Sequence, residues 1–547
     1  MRGHAGFRLA GILDDVEAAA VTPIAESRPG RSPAIDLIAV AAVVAIAWLP
    51  VLVGVYSSAL VGWIAAIVLA VAVERATARL APRVLVGALL ASSAFVPSGL
   101  VTDSTHYLPV AVTAGALAIR AALSALSARN IERPVTEPVA LVIAAYLAWA
   151  AVATATSIDR RVSLPYWVGT VAVCMLAFWA IPRMIPRRED REFILAVLGG
   201  LGMIVAASVY VLSPLGAISI FGRRVSDYQL IDLTVGGHGT GVHFGKSAGL
   251  FLAPLEPSVL MVVAVLALLG LTSMLTGRAL WASRAAIVFV VPAILITLDR
   301  SAWLAALMAT GVFAVLPTAR RSAAVLAGIL CLVFTLSFFS VVANVVGANA
   351  IATACTTGCT QAAPGTGGDE APLRGGTGLS GREFLWTASV RAIALRPIFG
   401  YGPGNNVPAI DTYLSGDGLH FKGLTSHDTW LRTAVEQGIP GLLLLLGVLA
   451  VSAWTFLRGP REPRQAGERR TGIPDPTRVT FAVAVVGLLG VMTFESFFLG
   501  GVNFSNLFLA FALTLMLPPT TLLQFRRSLS RRGSSSERPQ VAHSPDV

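Results

Sequence analysis

The sequence predicts an all-α, polytopic membrane protein: a transmembrane helical bundle of about 12 to 14 spans with a large, partly helical extracytoplasmic loop. The chain is 55% hydrophobic and only 13% charged, whereas soluble domains have about 25% charged residues. Apolar runs of about 20 residues recur along it, and in lipid such runs must be helical because every backbone group needs an internal partner. One long polar stretch, residues 347–438, interrupts them.

The apolar runs give about 14 candidate spans, or about 12 or 13 if one of them is re-entrant or interfacial. They are residues 35–54, 57–73, 83–101, 107–127, 137–156, 164–182, 193–213, 254–276, 280–298, 301–317, 322–346, 439–457, 479–498 and 503–519. The chain therefore divides into an N-terminal tail (1–33), the first eleven spans (34–346), the long polar loop (347–438), three further spans (439–520) and a disordered tail (521–547).

The positions of the cations predict the orientation of these spans. With the N-terminus inside, 29 of the 41 Lys and Arg residues fall in cytoplasmic segments and 12 fall outside, as the positive-inside rule requires. Both termini are then cytoplasmic, and loop 347–438 is extracytoplasmic. The net charge of +11 comes from arginines that lie between the apolar runs and orient them in the bilayer. The lipid bilayer is therefore the expected partner, and we expect no nucleic-acid partner. Six of the outer cations lie in the long loop; they favour an anionic ligand there, although long loops also translocate regardless of charge.

A histidine opens a predicted helix near the end of this loop. Thr425 and Asp428 have the spacing of a helix start, and Gly438 fits the end,. We expect His427 to lie in the first turn. An imidazole readily accepts a proton near neutral pH, so His427 is a candidate general base. Alternatively, it caps the helix or packs at the membrane surface.

Two arginines are candidate ligands for phosphate, whose oxygens a guanidinium matches bidentately. Arg382 begins a second predicted helix, which runs to Leu395 and carries Arg391 about 180° away from it,. Arg300 lies at the outer end of a span. The alternatives are that Arg382 pairs with Glu383 or Asp369, and that Arg300 pairs with Asp299 or reaches lipid headgroups.

Other polar residues of the loop are secondary candidates. They are Glu436, Asp428, Lys422 and Arg391, followed by Asp411, Asp417 and His420. Glu436 is expected to orient the loop by hydrogen bonding. Cys355 and Cys359 fall outside the membrane, where an oxidising environment favours a disulfide, although both could be free thiols. Two thiols alone make a poor metal site, so we expect no metal. The glycines of Gly400–Asn406 predict a tight turn in close contact with another segment,.

Four segments together resemble the O-antigen ligase and O-antigen polymerase superfamily of bacterial envelope enzymes. They are Gly249–Pro257; Arg300–Leu304; Arg382–Trp386 followed by Pro397–Gly402; and His427–Leu431 followed by Glu436–Gly441. Two positions depart from the pattern. Asp428 stands where the family usually has Asn, and Asp299 precedes Arg300 where a small residue is common.

The resemblance implies a ligase or polymerase of the glycosyltransferase type in the bacterial inner membrane. It would transfer a glycan from a polyprenyl-pyrophosphate donor to a glycan or glycolipid acceptor outside the membrane, without metal or cofactor. His427 would be the general base, and Arg300 and Arg382 would bind the pyrophosphate. The alternative is a flippase for lipid-linked oligosaccharides or another transporter. That class predicts ionisable residues within the spans, and the candidates are few: Glu495, Arg120 and Arg284.

Overall fold

The computed structural model confirms the all-α, polytopic class. It describes residues 32–52, 59–96, 107–127, 137–212, 219–220, 223–224, 229–233, 242–246, 249–251, 255–297, 299–315, 382–458, 475–495 and 504–517. The C-terminal tail, the predicted span 322–346 and the N-terminal tail up to residue 31 lie outside the described residues, as do Cys355 and Cys359. The division into domains and the proposed disulfide therefore stay predictions.

The helices follow the predicted spans closely. Their bounds are α1 Pro33–Leu52, α2 Ala59–Thr77, α3 Arg83–Ala94, α4 Leu108–Ser127, α5 Glu137–Ala155, α6 Arg160–Met175, α7 Arg188–Leu212, α8 Leu255–Thr272, α9 Gly277–Ile296, α10 Arg300–Val315, α11 Arg382–Leu395, α12 Asn406–Asp411, α13 Thr429–Arg458, α14 Pro476–Met492 and α15 Phe504–Leu515. Helix α6 continues through a π-helical turn, Leu176–Ala180, and a final α-helical turn, Ile181–Met184. A short 3₁₀ helix, Gly416–Phe421, follows α12.

In the described part of the chain, seven helices are long and apolar enough to cross a membrane: α4 to α9 and α13. Five shorter apolar helices, α1, α3, α10, α14 and α15, accompany them. Their buried faces form one hydrophobic core that runs through the bundle. The total of about 14 spans stays a prediction.

Two small β-ladders occur in the second predicted outer segment, residues 214–250, to which the sequence reasoning assigned no strands. Strand β1, Ser219–Ile220, pairs with β2, Arg223–Arg224. Strand β3, Gln229–Leu233, pairs antiparallel with β4, Val242–Lys246, so that Gln229 lies opposite Lys246. These ladders are local hairpins outside the helical core, so the all-α class stands.

The first residues of four helices meet through ion pairs. Arg83 at the start of α3 contacts Asp36 of α1 at 2.7 Å and Asp190 of α7 at 3.4 Å. The neighbouring Arg191 contacts Asp475 at the start of α14. All four starts were predicted to lie on the cytoplasmic side, and the fold brings them to one end of the bundle.

Helix α13 is kinked at Gly438, where the prediction placed a helix end. This glycine has φ 71° and ψ −179°, a conformation that essentially only glycine adopts. The kink frees backbone groups, and other segments pair with them. Trp149 of α5 donates its indole N–H to the carbonyl of Gln437 at 2.8 Å. The amide of Ile439 donates to the carbonyl of Pro397 at 2.7 Å.

The glycine-rich turn after α11 packs against this kink, as predicted. The amides of Tyr401 and Gly402 donate to the carbonyls of Val435 and Glu436 at 2.9 and 2.8 Å. A Cβ atom on Gly400 would lie 2.6 Å from the Val435 carbonyl oxygen. The turn therefore adds backbone hydrogen bonds to the last helical turn before the kink.

Gly438→Ala should destabilise the protein strongly. The new Cβ would lie 1.9 Å from the Ile398 carbonyl oxygen, and the backbone conformation alone costs about 1–3 kcal/mol for a non-glycine residue. Thermal unfolding of the purified protein in detergent measures the effect. Gly200→Ala, in α7 with open space around its Cβ position, is the matched control and should leave the midpoint unchanged or raise it. Equal midpoints for the two variants would show that the backbone at residue 438 does not require glycine.

Candidate functional site

The carboxylate of Glu495 joins the two predicted site residues of the long loop. One oxygen, Oε1, lies 2.7 Å from Nη2 of Arg382, and the other, Oε2, lies 3.0 Å from Nδ1 of His427. The Glu495 side chain is only 11% exposed, whereas those of Arg382 and His427 remain partly open to solvent. An acid, a cation and an imidazole thus form one connected cluster at the surface of the bundle.

Helix α11 places Arg382 in this cluster. The helix spans Arg382–Leu395, as predicted, and buries the face that carries Leu385 and Ala388. The indole N–H of Trp386, on this helix, donates a hydrogen bond of 3.1 Å to the carbonyl of Ser426. Ser426 directly precedes His427. Arg391 lies on the exposed side of the same helix. The helix therefore brings one of its two predicted arginines to the histidine and leaves the other outside the cluster.

The backbone of His427 is held in an unusual conformation. Its φ is 47°, a value that is uncommon for residues other than glycine and that clusters at functional sites. The preceding Ser426 is buried, and its amide donates to Oδ1 of Asn406 at 2.9 Å. Helix α13 begins at Thr429, so the expectation that His427 lies in the first helical turn is wrong. Because Asp428 supplies the cap, the histidine stands ahead of the helix and its ring is free to reach Glu495.

Asp428 caps α13. Its Oδ1 accepts a hydrogen bond from the amide of Leu431 at 2.7 Å, which is the usual bond of an N-cap side chain. Burial raises the pKa of the Asp428 carboxyl, and hydrogen bonds from the amides of Leu431 and Trp430 partly offset this rise. The structure thus gives Asp428 a task in starting the helix that presents His427.

Glu495 is positioned by the end of α14. That helix stops at Met492, and the amide of Glu495 still donates to the carbonyl of Val491 at 2.9 Å. The carbonyl of Glu495 accepts from the hydroxyl of Thr429 at 2.6 Å. The first residue of α13 is therefore bonded to the residue that holds His427.

Arg300 begins α10, and its side chain lies outside the described residues. Helix α10 packs along α14 in the antiparallel sense. A Cβ on Gly487 would touch Ala309, and one on Gly490 would lie beside Ala305 and Met308. The neighbouring Asp299 caps α10 through the amide and hydroxyl of Ser301 at 3.1 and 2.6 Å.

Among the other secondary candidates, Glu436 and Asp411 are bonded to partners other than Arg382, His427 and Glu495. Glu436 is fully buried and pairs with Arg432 at 2.8 Å, one helical turn away. Asp411 accepts from the amide of Gly423 at 3.0 and 3.1 Å and so closes the loop around the 3₁₀ helix. Lys422 is exposed beside it. The side chains of Asp417 and His420 lie outside the described residues.

Glu495 is the site residue that the sequence reasoning missed. It was considered only as an ionisable residue of a span that could serve a transporter. Its signal was present nonetheless: an acidic residue at the end of an apolar run is costly in lipid and marks a functional site by default. What the sequence lacked was any local indication that His427 and Arg382 would share it, because 68 and 113 residues separate it from them.

Residues 285–446 match the family model described as O-antigen ligase. The match places this part of the chain in the O-antigen ligase-like superfamily. It confirms the resemblance drawn from the motifs and includes Arg300, Arg382 and His427, whereas Glu495 lies beyond it. Residues 285–446 are thus similar to O-antigen ligases, and the apolar helices make the chain a multi-pass membrane protein. No curated protein sequence matches it.

In this O-antigen ligase-like chain, Asp428→Asn should be as stable as the natural protein at pH 7, or more stable, and Asp428→Ala less stable. Asn caps helices as well as Asp, whereas Ala costs about 1 kcal/mol. The raised pKa of Asp428 means that the folded state holds its proton more tightly than the unfolded state. Its charge therefore costs stability as the pH rises from about 3.9, the unfolded value, through the folded pKa. Asn removes this cost.

Thermal midpoints of the three proteins between pH 4 and pH 8, in steps of about one unit across the Asp range, measure the effect. The Asn variant should lose less stability with rising pH than the natural protein. If Asn destabilises as much as Ala, the charge of Asp428 has a purpose other than capping.

Proposed function

We propose that this protein transfers a glycan from a polyprenyl-pyrophosphate carrier to a hydroxyl of a glycan or glycolipid acceptor, on the outer side of the bacterial inner membrane. The observation that carries the proposal is the bridge from Glu495 to both His427 and Arg382. It brings an imidazole and a guanidinium to one carboxylate, and we assign them the roles of proton acceptor and anion-binding cation. A transfer from a diphosphate needs these two groups side by side.

The donor diphosphate would bind Arg382. A guanidinium has five N–H donors, and the contact with Glu495 involves Nη2. The remaining donors can hold phosphate oxygens and neutralise the charge that develops on the leaving group. Arg300, the first residue of α10, would add a second guanidinium. The N-terminus of α11 beside Arg382 also favours an anion.

His427 would act as the general base. In the tautomer that carries its hydrogen on Nδ1, the ring donates to Oε2 of Glu495, 3.0 Å away, and Nε2 is left with its lone pair. A carboxylate bonded to one ring nitrogen fixes the orientation of the ring and stabilises the imidazolium that forms when the other nitrogen takes a proton. Glu495 is therefore a positioning residue.

The proposed reaction is a direct displacement. The acceptor hydroxyl oxygen attacks the anomeric carbon of the first sugar of the donor, and the bond from that carbon to the phosphate oxygen breaks. The hydroxyl proton passes to Nε2 of His427, and the polyprenyl pyrophosphate leaves with the bonding electron pair. Because pyrophosphate is a good leaving group, the reaction is proposed to be independent of metal and of nucleotide sugars.

Both termini are proposed to be cytoplasmic, and the His427 cluster is proposed to face outward. The partners are then the lipid-linked donor, the acceptor and the bilayer that holds both. Ligase and polymerase share this site and differ in the acceptor. The size distribution of the product separates them, because a polymerase makes a ladder and a ligase makes a single transfer.

His427→Ala should fold and insert but stop the consumption of a lipid-linked oligosaccharide, because no other group of the cluster takes the proton. Arg382→Lys should restore little of the activity that Arg382→Ala loses, since an ammonium cannot bind phosphate bidentately. Arg391→Ala, an exposed arginine on the same helix, is the matched control and should retain activity. The measurement is glycan transfer in liposomes with donor and acceptor in the same leaflet.

Unchanged transfer by the His427 variant would reject it as the base. Movement of the intact donor between leaflets, without transfer, would favour a transporter instead.

Glu495→Gln should lower kcat more than it changes KM for the acceptor. The amide keeps the size of the side chain but loses the charge that stabilises imidazolium, so the proton transfer slows by about 10²–10⁴-fold, the range of general-base effects. In the His427→Ala background the same substitution should have little further effect on rate, because the two residues act as a unit. Additive losses in the double variant would argue that Glu495 acts through Arg382 alone.

A further inference from the structure

Residues 395–399, here called the interfacial segment, expose apolar side chains although they belong to a polar loop. Leu395 is 65% exposed, Ile398 is 54% exposed, and Phe399 is also exposed. Clustered exposed apolar groups of this kind mark contacts with a membrane or another protein. The segment joins α11, which carries Arg382, to the glycine-rich turn at the kink of α13.

The interfacial segment is attached to α13 at Ile439, where the long apolar part of that helix begins. The carbonyl of Pro397 accepts from the amide of Ile439 at 2.7 Å, and the Phe399 ring stacks on Trp149 with centroids 5.7 Å apart. From Ile439, α13 continues to Arg458, which is about 30 Å of helix and equals the thickness of the hydrocarbon core. With Arg458 at one boundary of that core, the interfacial segment lies at the other.

The exposed apolar surface is continuous from helix to loop. Ile439 and Leu443 on α13 are exposed, Leu443 by 60%. On the adjacent turn between α5 and α6, Ile158 is exposed as well, and its amide donates to the carbonyl of Tyr401 at 3.2 Å. The exposed apolar side chains of α13 therefore lie next to those of the interfacial segment.

Cations surround this surface. Arg396 lies within the segment, is exposed, and holds its guanidinium 5.0 Å from the centroid of the Tyr401 ring. Arg160 and Arg161 are exposed at the start of α6. Beside Arg396 is an open groove of about 300 Å³, lined by Thr156 and residues 395–400. Long basic side chains over an apolar surface, next to aromatic rings, are typical of residues at the headgroup level of a bilayer.

We propose that the interfacial segment inserts into the outer leaflet of the bilayer and that Arg396 binds the phosphate of an anionic phospholipid in the adjoining groove. The apolar side chains lie in the acyl region of the leaflet, and the guanidinium of Arg396 contacts the lipid headgroup. Insertion fixes one end of α11 at the membrane surface and leaves Arg382 at its other end. The inference rests on the fold and is independent of the proposed reaction.

The test uses the full chain with its four cysteines replaced by Ser or Ala, reconstituted in nanodiscs. An environment-sensitive fluorophore is attached at Ile398→Cys or, as a second site, Leu395→Cys. Leu443→Cys on α13 is the reference in lipid, and Ser535→Cys in the polar C-terminal tail is the reference in water. We expect both segment probes to emit at shorter wavelength than the tail probe. Lipids that carry a quencher near the headgroup should suppress their emission as strongly as that of the Leu443 probe.

A second comparison tests the headgroup site. Replacing part of the phosphatidylcholine by phosphatidylglycerol should increase the quenching of the Ile398 probe. The increase should be lost with Arg396→Gln and kept with Arg391→Gln, the matched exposed arginine outside the groove. Emission like that of the tail probe at both segment sites would overturn insertion. A blue-shifted probe that lipid quenchers do not reach would show that a second protein chain covers the segment, which also overturns it. An equal increase in the Arg396 variant would overturn the headgroup site.

Discussion

One carboxylate, that of Glu495, connects the parts of this protein on which the proposed chemistry depends. Arg382 reaches it from the start of α11, His427 reaches it from the loop before α13, and the end of α14 supplies it. A carboxylate so little exposed needs partners, because burial of a charge without them is costly. Here the partners are a cation and an imidazole. The acid therefore holds the guanidinium and the imidazole close to each other.

The cluster holds its geometry because the helix behind His427 is braced. Gly438 separates the N-terminal part of α13 from its long apolar part, and such a kink would leave polar backbone groups unpaired in an apolar environment. Trp149 and Pro397 pair with them, and the glycine-rich turn bonds to the carbonyls of Val435 and Glu436. Backbone of this kind is tolerated near a membrane only where protein satisfies it. The glycines of the turn thus help to hold the helix that follows His427 in the Glu495 cluster.

Several elements could be predicted from the sequence because their causes are local. The apolar runs specify apolar helices, and the helices that the structure describes coincide with the predicted runs apart from small shifts of their ends. Helix α11 begins at Arg382 and ends at Leu395, where the glycine before it and the proline after it placed its ends. Arg83 and Arg191, predicted to share one side, meet their acidic partners where four helices begin at one end of the bundle. The hydropathy of a span and the charges at its ends lie within about 20 consecutive residues, the length of one span, so they can be identified in the sequence alone.

The tertiary structure alone decided which polar groups share a site. Contacts with distant segments decide the pairing of His427 with Glu495 and the position of His427 ahead of α13. They also decide that Arg391 lies outside the cluster and that short ladders form at residues 219–246. By itself, the sequence determined the membrane class, the order of the spans and the segment that carries the O-antigen ligase-like motifs, because the cost of exposing backbone and charge to lipid applies to every span separately. The contact between residues 382, 427 and 495 has a different cause. These side chains attract one another only after three helix ends have packed together, so no local sequence pattern predicts the contact.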